Sequence, residues 1–406
     1  MRKTTTGTEW EIRAPITFSY RVKETRDVLD PADDSLLFGH ITDQATLARA
    51  KARSPMKRVV VVDEEVHRLY GHRIEAYFVA NKVDARIMAL PTKEENKDIE
   101  LTLEIAKAID EHGIDRRLEP VIAIGGGVCM DIVGFAASIY RRRTPYIRVP
   151  TTLMGYVDAS VGAKSGINFN GKKNKLGAYI PPALALLDRS FLATLDQRQL
   201  SNGAAEIMKM ALVKSPELFS LLERHGPTLI EYKFQDLPAS LAGADGPEVP
   251  QRVLQLAIGT MLEELAPNLW EDSLVRLVDF GHIFSVELEM EVLHSEKLFH
   301  GEAVAIDMAY STVLAFVRGH IDADTRDRIL SAMAGLRLPV YHEAQESRMI
   351  AKAMYERAKF SQGQKMPLPS GEGISRIYNN VTEEQLEAAL ALHKQLCAPP
   401  SENELA

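Results

Sequence analysis

Pro120-Val-Ile-Ala-Ile-Gly-Gly-Gly-Val-Cys-Met-Asp131 reads as a buried strand that ends in three glycines and opens a helix. The apolar run has the continuous hydrophobicity of a parallel strand covered on both faces. Without Cβ atoms, the glycines let the backbone approach a pyrophosphate, and the helix N-terminus adds N–H donors and positive dipole. The spacing is not G-x-G-x-x-G, so the ordinary dinucleotide fingerprint is absent. A tight packing turn would use the same glycines.

Outward from this turn, strands are expected at 58–62, 85–90 and 146–149. Helices are expected at 66–79, at 99–112 and from about 130 to 140. Alternation of this kind means a parallel α/β sheet. Residues 11–23 alternate and read as a further strand, 24–53 as mostly irregular chain. Asp63 closes one strand and Thr151, Thr152 and Leu153 follow another, at the carboxyl edge where open α/β sheets bind ligands. Turn and cap positions use the same residue types.

Beyond Phe191 the texture becomes helical, with segments expected at 201–213, 216–225, 250–265, 282–290, 302–318, 322–334, 343–358 and 382–396. Thr382 and Gln385 form a capping box. The chain therefore reads as an N-terminal α/β parallel-sheet domain over 1–190 and a C-terminal helical domain over 191–406. Residues 237–250 form a loop, 1–10 a frayed start and 398–406 a polar tail.

The 406 residues carry a net charge of −8, which argues against nucleic acid as the main partner. Two cysteines, Cys129 and Cys397, exclude a disulfide framework or a Cys-rich zinc site and fit a reducing cytoplasm. No apolar run reads as a signal peptide or a membrane span.

Asn202-Gly-Ala-Ala-Glu-Ile-Met-Lys209 places Glu206 and Lys209 on one face of an apolar helix. Buried charges need a partner or a metal. Together with His282 and His300, Glu206 would make a His₂Glu set with an open position for substrate. An ion pair and two ordinary histidines are the plainer reading. Lys164, Lys172, Lys173, Asn174, Lys175 and Arg276 could form a phosphate pocket. For Lys172 and Lys175 a solvated loop is preferred, and for Arg141–Arg143 a solvated helix end.

Taken together, Gly125–Asp131, Pro150–Leu153, Val157–Lys164, Lys173-Asn174, Asn202–Glu206, Asp279-Phe-Gly-His282 and His300-Gly-Glu-Ala-Val304 resemble the dehydroquinate synthase-like sugar phosphate cyclases in type and order. Gly166-Ile-Asn-Phe-Asn-Gly171, Leu187–Leu195 and Pro267-Asn-Leu-Trp-Glu271 are similar to the 2-epi-5-epi-valiolone synthases within that group. The resemblance implies NAD held by Asp63, Glu94, Lys97, Gly126, Gly127, Asp131, Thr151, Thr152, Leu153, Lys173, Thr194 and Leu195. It implies zinc or cobalt on Glu206, His282 and His300. Sugar phosphate would lie against Asp158, Lys164, Asn174, Lys209 and Arg276, with Asp279 and Lys365 beside them. It further implies a cytoplasmic homodimer acting on sedoheptulose 7-phosphate by transient oxidation, β-elimination of phosphate, reduction and intramolecular aldol closure.

Some positions depart from the relatives. Asp279 stands where dehydroquinate synthases carry Asn, and Val286 where they carry a second His. Desmethyl-4-deoxygadusol enzymes carry Ala at the Asp279 position. Ile283 replaces the Thr of the 2-epi-5-epi-valiolone synthases, Phe360 an expected His and Ser361 an expected Arg. An epimeric product, 2-epi-valiolone, is therefore a second expectation. A metal-dependent polyol dehydrogenase and a non-catalytic homologue are the competing classes; Lys164, Asn174 and Lys209 oppose the first, Glu206, His282 and His300 the second.

Overall fold

The computed structural model describes residues 2–4, 7–292 and 298–399; part of the expected frayed start and most of the polar tail lie outside them. The N-terminal half is built on a six-stranded parallel sheet. In chain order its strands are β1 (Arg21–Thr25), β2 (Met56–Asp63), β3 (Val83–Leu90), β4 (Val121–Gly125), β5 (Tyr146–Pro150) and, after a hairpin of β6 (Lys164–Phe169) and β7 (Lys172–Tyr179), β8 (Leu184–Asp188). The sheet order is β1-β8-β5-β4-β2-β3. Register brings Asp63 opposite Leu90 and Gly125 opposite Pro150, so one edge gathers Asp63, the glycines and Thr151. Helices α1 (Glu64–Ala80), α2 (Ile99–His112) and α3 (Gly127–Ile139) connect the strands.

The C-terminal half is helical: α4 (Gln197–Lys214), α5 (Pro216–Glu231), α6 (Val249–Leu265), α7 (Ser285–Glu291), α8 (His300–Val317), α9 (Ala323–Gly335), α10 (Ser347–Ser361) and α11 (Glu383–Cys397). Helix α8 is buried along most of its length. The largest apolar cluster joins α4 and α8 to Leu153, Tyr156, Val161, Ala185 and Leu192, so the core is continuous across the seam near residue 190. None of the described helices is long and apolar enough to cross a membrane.

Several expectations are corrected. Of the strand expected over 11–23 only residues 21–23 join the sheet, in a strand that runs on to Thr25. Pro15 offers no N–H, and side chains hold this segment instead: Phe18 packs edge-on to Trp270, and Tyr20 Oη donates to the Val161 carbonyl. The chain expected to be irregular over 24–53 contains helices Ser35–Phe38 and Gln44–Lys51, the second capped by Asp43. The helix after the glycines begins at Gly127, so its N-terminus opens within the glycine turn itself. The helix expected from His282 begins at Ser285. Before it, Asp307 accepts the backbone N–H groups of Ile283, Phe284 and Ser285 at 2.8, 2.6 and 3.0 Å, fixing a turn there.

Candidate metal and dinucleotide site

Three donor atoms converge where α4 meets α8. Glu206 comes from the middle of α4, His282 from the turn before α7, and His300 is the first residue of α8. Their ligand atoms lie within 4.8 Å of one another. His282 Nε2 is 3.2 Å from His300 Nε2, and these stand 3.7 and 4.0 Å from Glu206 Oε1.

Each histidine commits its other nitrogen elsewhere. His282 Nδ1 lies 3.1 Å from the Phe280 carbonyl, and His300 Nδ1 lies 3.0 Å from Glu289 Oε1. With the proton on Nδ1 alone, each ring presents its Nε2 lone pair beside the Glu206 carboxylate, a donor set that suits one divalent cation. Burial opposes a charge on His300, yet Glu289, then Glu206 and Asp158, hold its pKa above the ordinary value. Glu206 is 1% exposed, and its Oε1 accepts no hydrogen bond. Lys209 stands against Oε2 as an ion pair without hydrogen-bonding geometry. Burial, then the Lys209 ammonium and His300, push His282 down to about 3. Burial also opposes the charge on Lys209, yet Glu206, Asp158 and Asp279 outweigh it and hold its pKa above the ordinary value.

A second cluster is basic and partly self-neutralised. Lys164 pairs with Glu271, and Arg276 Nη1 lies 2.8 Å from the same carboxylate. Tyr179 Oη donates to its other oxygen at 3.0 Å. Asp279 is held between Arg276 at 3.4 Å and Arg357 at 2.8 Å. Arg357 also donates to the Lys365 carbonyl at 3.0 Å. Buried Arg148 braces the loop that carries Asp158 and Lys164, donating to the Ala159, Gly162 and Lys164 carbonyls at 2.8, 2.7 and 2.8 Å. The motif reading missed Glu271 and Arg357 as members of this cluster. Their only sequence signal is a charge that tertiary folding pairs.

At the sheet edge, a Cβ on Gly126 would stand 3.2 Å from the Thr152 methyl and one on Gly127 3.4 Å from Ala159 Cβ. Thr151 Oγ1 is buried without a hydrogen-bond partner. Asp63 caps α1, accepting from Glu65 and Val66, and its other oxygen accepts from Thr92. Thr152 Oγ1 accepts from the Gly155 N–H, so part of this edge serves as cap and turn as well. Lys97 bridges Asp131 at 2.6 Å and Asn174 Oδ1 at 2.7 Å. Glu94 accepts from Asn168 at 2.8 Å. Thr194 lies 3.2 Å from Tyr70 Oη, and Leu195 packs on the main core.

Lys173 is placed differently from the rest of the expected dinucleotide set: it pairs with Glu289, the carboxylate behind His300. Lys172 and Lys175 are exposed, and so are Arg141–Arg143. Ile283 and Ser361 are buried. Phe360, expected in the pocket, is 67% exposed with the Lys359 ammonium 5.3 Å from its ring.

A glycine-turned parallel sheet joined to a helical body with a His₂Glu centre defines a metal-dependent dinucleotide enzyme. Comparison with known proteins narrows the class. Residues 87–202 match the 3-dehydroquinate synthase N-terminal model and 203–360 the C-terminal model. The 2-epi-5-epi-valiolone synthase of Streptomyces albus is 46% identical over 95% of this chain and 91% of its own. The 2-epi-valiolone synthase of Stigmatella aurantiaca is 34% identical over 83% and 82%. The solved 2-epi-5-epi-valiolone synthase of Streptomyces hygroscopicus subsp. jinggangensis 5008, with NAD+ and Zn2+ bound, superposes with a TM-score of 0.83 at 43% identity, covering 95% of this chain and 99% of that one. The chain belongs to the 3-dehydroquinate synthase-like family, among its sugar phosphate cyclases and beside the 2-epi-5-epi-valiolone synthases.

Proposed function

We propose that this chain cyclises sedoheptulose 7-phosphate to 2-epi-5-epi-valiolone with release of phosphate. The observation that carries the reading is near-full-length identity of 46% to a 2-epi-5-epi-valiolone synthase, with Glu206, His282 and His300 converged. NAD would lie over Gly126 and Gly127, bordered by Asp63, Glu94, Lys97, Asp131, Thr151, Thr152, Leu153, Thr194 and Leu195; zinc or cobalt would sit on Glu206, His282 and His300. When bound, they supply hydride exchange at a secondary alcohol and Lewis acidity.

This chain's own residues do the rest. Lys164 and Arg276, now neutralised by Glu271, exchange that carboxylate for the phosphate group. Asn174, further along the same hairpin, adds an amide once Lys97 turns to the dinucleotide. Lys209 keeps its proton on Nζ and offers it to substrate oxygens, with Asp158 as countercharge. Asp279, fixed between two arginines, and Lys365 border the same space. Holding an open-chain intermediate in one orientation before ring closure is the larger part of the task. A homodimer in the cytoplasm completes the proposal.

The second reading is the epimer 2-epi-valiolone, favoured by buried Ile283 and Ser361 where a Thr and an Arg are expected; exposed Phe360 does not contribute to it. Incubation with sedoheptulose 7-phosphate, NAD and zinc or cobalt is the test. Phosphate release with a seven-carbon cyclitol, identified by NMR, supports the cyclase, and the configuration at carbon 5 chooses between the epimers. Net NADH accumulation without phosphate release would replace both with a polyol dehydrogenase.

A further inference from the structure

We infer that Glu289 is a positioning residue for the metal ligand His300, and that Lys173 holds Glu289 in place from across the seam between sheet and helices. The inference rests on the metal reading of the Glu206, His282 and His300 cluster.

The two histidines are supported unequally. His282 Nδ1 meets a neutral carbonyl two residues away, inside its own turn. His300 opens α8, and its Nδ1 meets a carboxylate from α7 at 3.0 Å. That carboxylate is 7% exposed. A buried carboxylate needs both oxygens satisfied. Glu289 gives Oε1 to His300 and Oε2 to the Lys173 ammonium of β7. The ion pair with Lys173 keeps it a carboxylate.

An anionic acceptor on an imidazole N–H fixes the tautomer and the ring plane and makes the opposite nitrogen a better donor. Lys173 adds a further consequence. It belongs to the hairpin whose residues also include Lys164 and Asn174, so the ring of a metal ligand is tied to the element expected to grip phosphate. Metal affinity and hairpin position then become linked, in both directions. This gives Lys173 a role distinct from the dinucleotide contact implied by family resemblance.

The test measures zinc affinity by competition with a chelating dye and the visible spectrum of the cobalt form, for the wild type, Glu289→Gln and Lys173→Met. Glu289→Gln keeps the side chain's shape and one acceptor, and is expected to weaken zinc binding about 10- to 100-fold and alter the cobalt spectrum. Lys173→Met should weaken zinc binding in the same direction by a smaller factor. Wild-type zinc affinity and cobalt spectrum in Glu289→Gln would overturn the proposal. So would a Lys173→Met protein that keeps wild-type zinc affinity. If Glu289→Gln fails to fold, the Lys173→Met comparison decides alone. A wild type that binds neither metal would overturn the metal reading itself, a separate outcome.

Discussion

Three features meet at Glu206. Its Oε1 accepts no hydrogen bond, its charge is buried, and the Nε2 atoms of two imidazoles face it. The Lys209 ammonium offsets the charge but does not fill the space between the three donors. A divalent cation does, so metal should stabilise the fold strongly. At a hundredfold excess over Kd the linkage is about 2.7 kcal/mol, a rise of roughly 3–5 °C in Tm for a chain of this size. Scanning calorimetry with and without zinc should show that rise in the wild type and none in Glu206→Gln. A zinc shift that persists in the variant would put the metal elsewhere. Glu206, His282 and His300 are legible in sequence because so few residue types can donate to zinc. Glu271, Glu289 and Arg357 are not, because a surface charge and a buried countercharge look alike until folding brings their partners up.

At the scale of elements, the site depends on how closely α4 and α8 approach. A Cβ on Gly301 would lie 1.9 Å from the Asn202 carbonyl oxygen, so the two backbones touch there. The Gly301 N–H donates to Asn202 Oδ1 at 2.7 Å, locking the crossing next to His300. Gly301→Ala must push the helices apart or tilt α8. Either way His300 leaves Glu206 by about the width of a methyl group, more than a tetrahedral site tolerates. The expected outcome is a loss of ~2–3 kcal/mol in unfolding free energy and at least a tenfold loss in zinc affinity, read by denaturation and dye competition. Unchanged zinc affinity would mean that the helix crossing does not set the ligand geometry. Glycine at such a contact is visible in the sequence, but its reason is not. The hairpin was more accessible: Asn170-Gly171 closes it with both residues at positive φ, 51° and 68°, pairing Phe169 with Lys172. That dipeptide between alternating residues is a strong hairpin signal. Its many basic residues point equally to a solvated loop or a phosphate grip, which masks the strands.

For the molecule as a whole, the sequence reading of a sheet followed by helices holds, and one apolar core joins the two parts. One apolar cluster runs from β8 through α4 and α8 to Ala389 on α11, so the last helix closes the same core that carries the metal ligands. His393 of α11 sits in that closure, 0% exposed, with Nε2 2.7 Å from the Val340 carbonyl and the Tyr310 ring beside it. Burial pushes it down to about 4 from an ordinary 6.5, against the weaker pull of that carbonyl. The folded state thus prefers the neutral ring. Its contribution is complete above the unfolded value of 6.5 and is lost as pH falls toward 4. The expected loss from this residue is roughly 2 kcal/mol by pH 5. His40, pushed down to about 4 by burial and Arg58, acts in the same direction. Glu289, a carboxylate lowered to about 2, adds its loss only at more acid pH. Melting of metal-free wild type and His393→Gln between pH 7.5 and 5 separates these terms, because the amide still donates to Val340 but does not titrate. The variant should lose less Tm on acidification. Equal losses in the two proteins would show that α11 closes the core without a proton-sensitive contact.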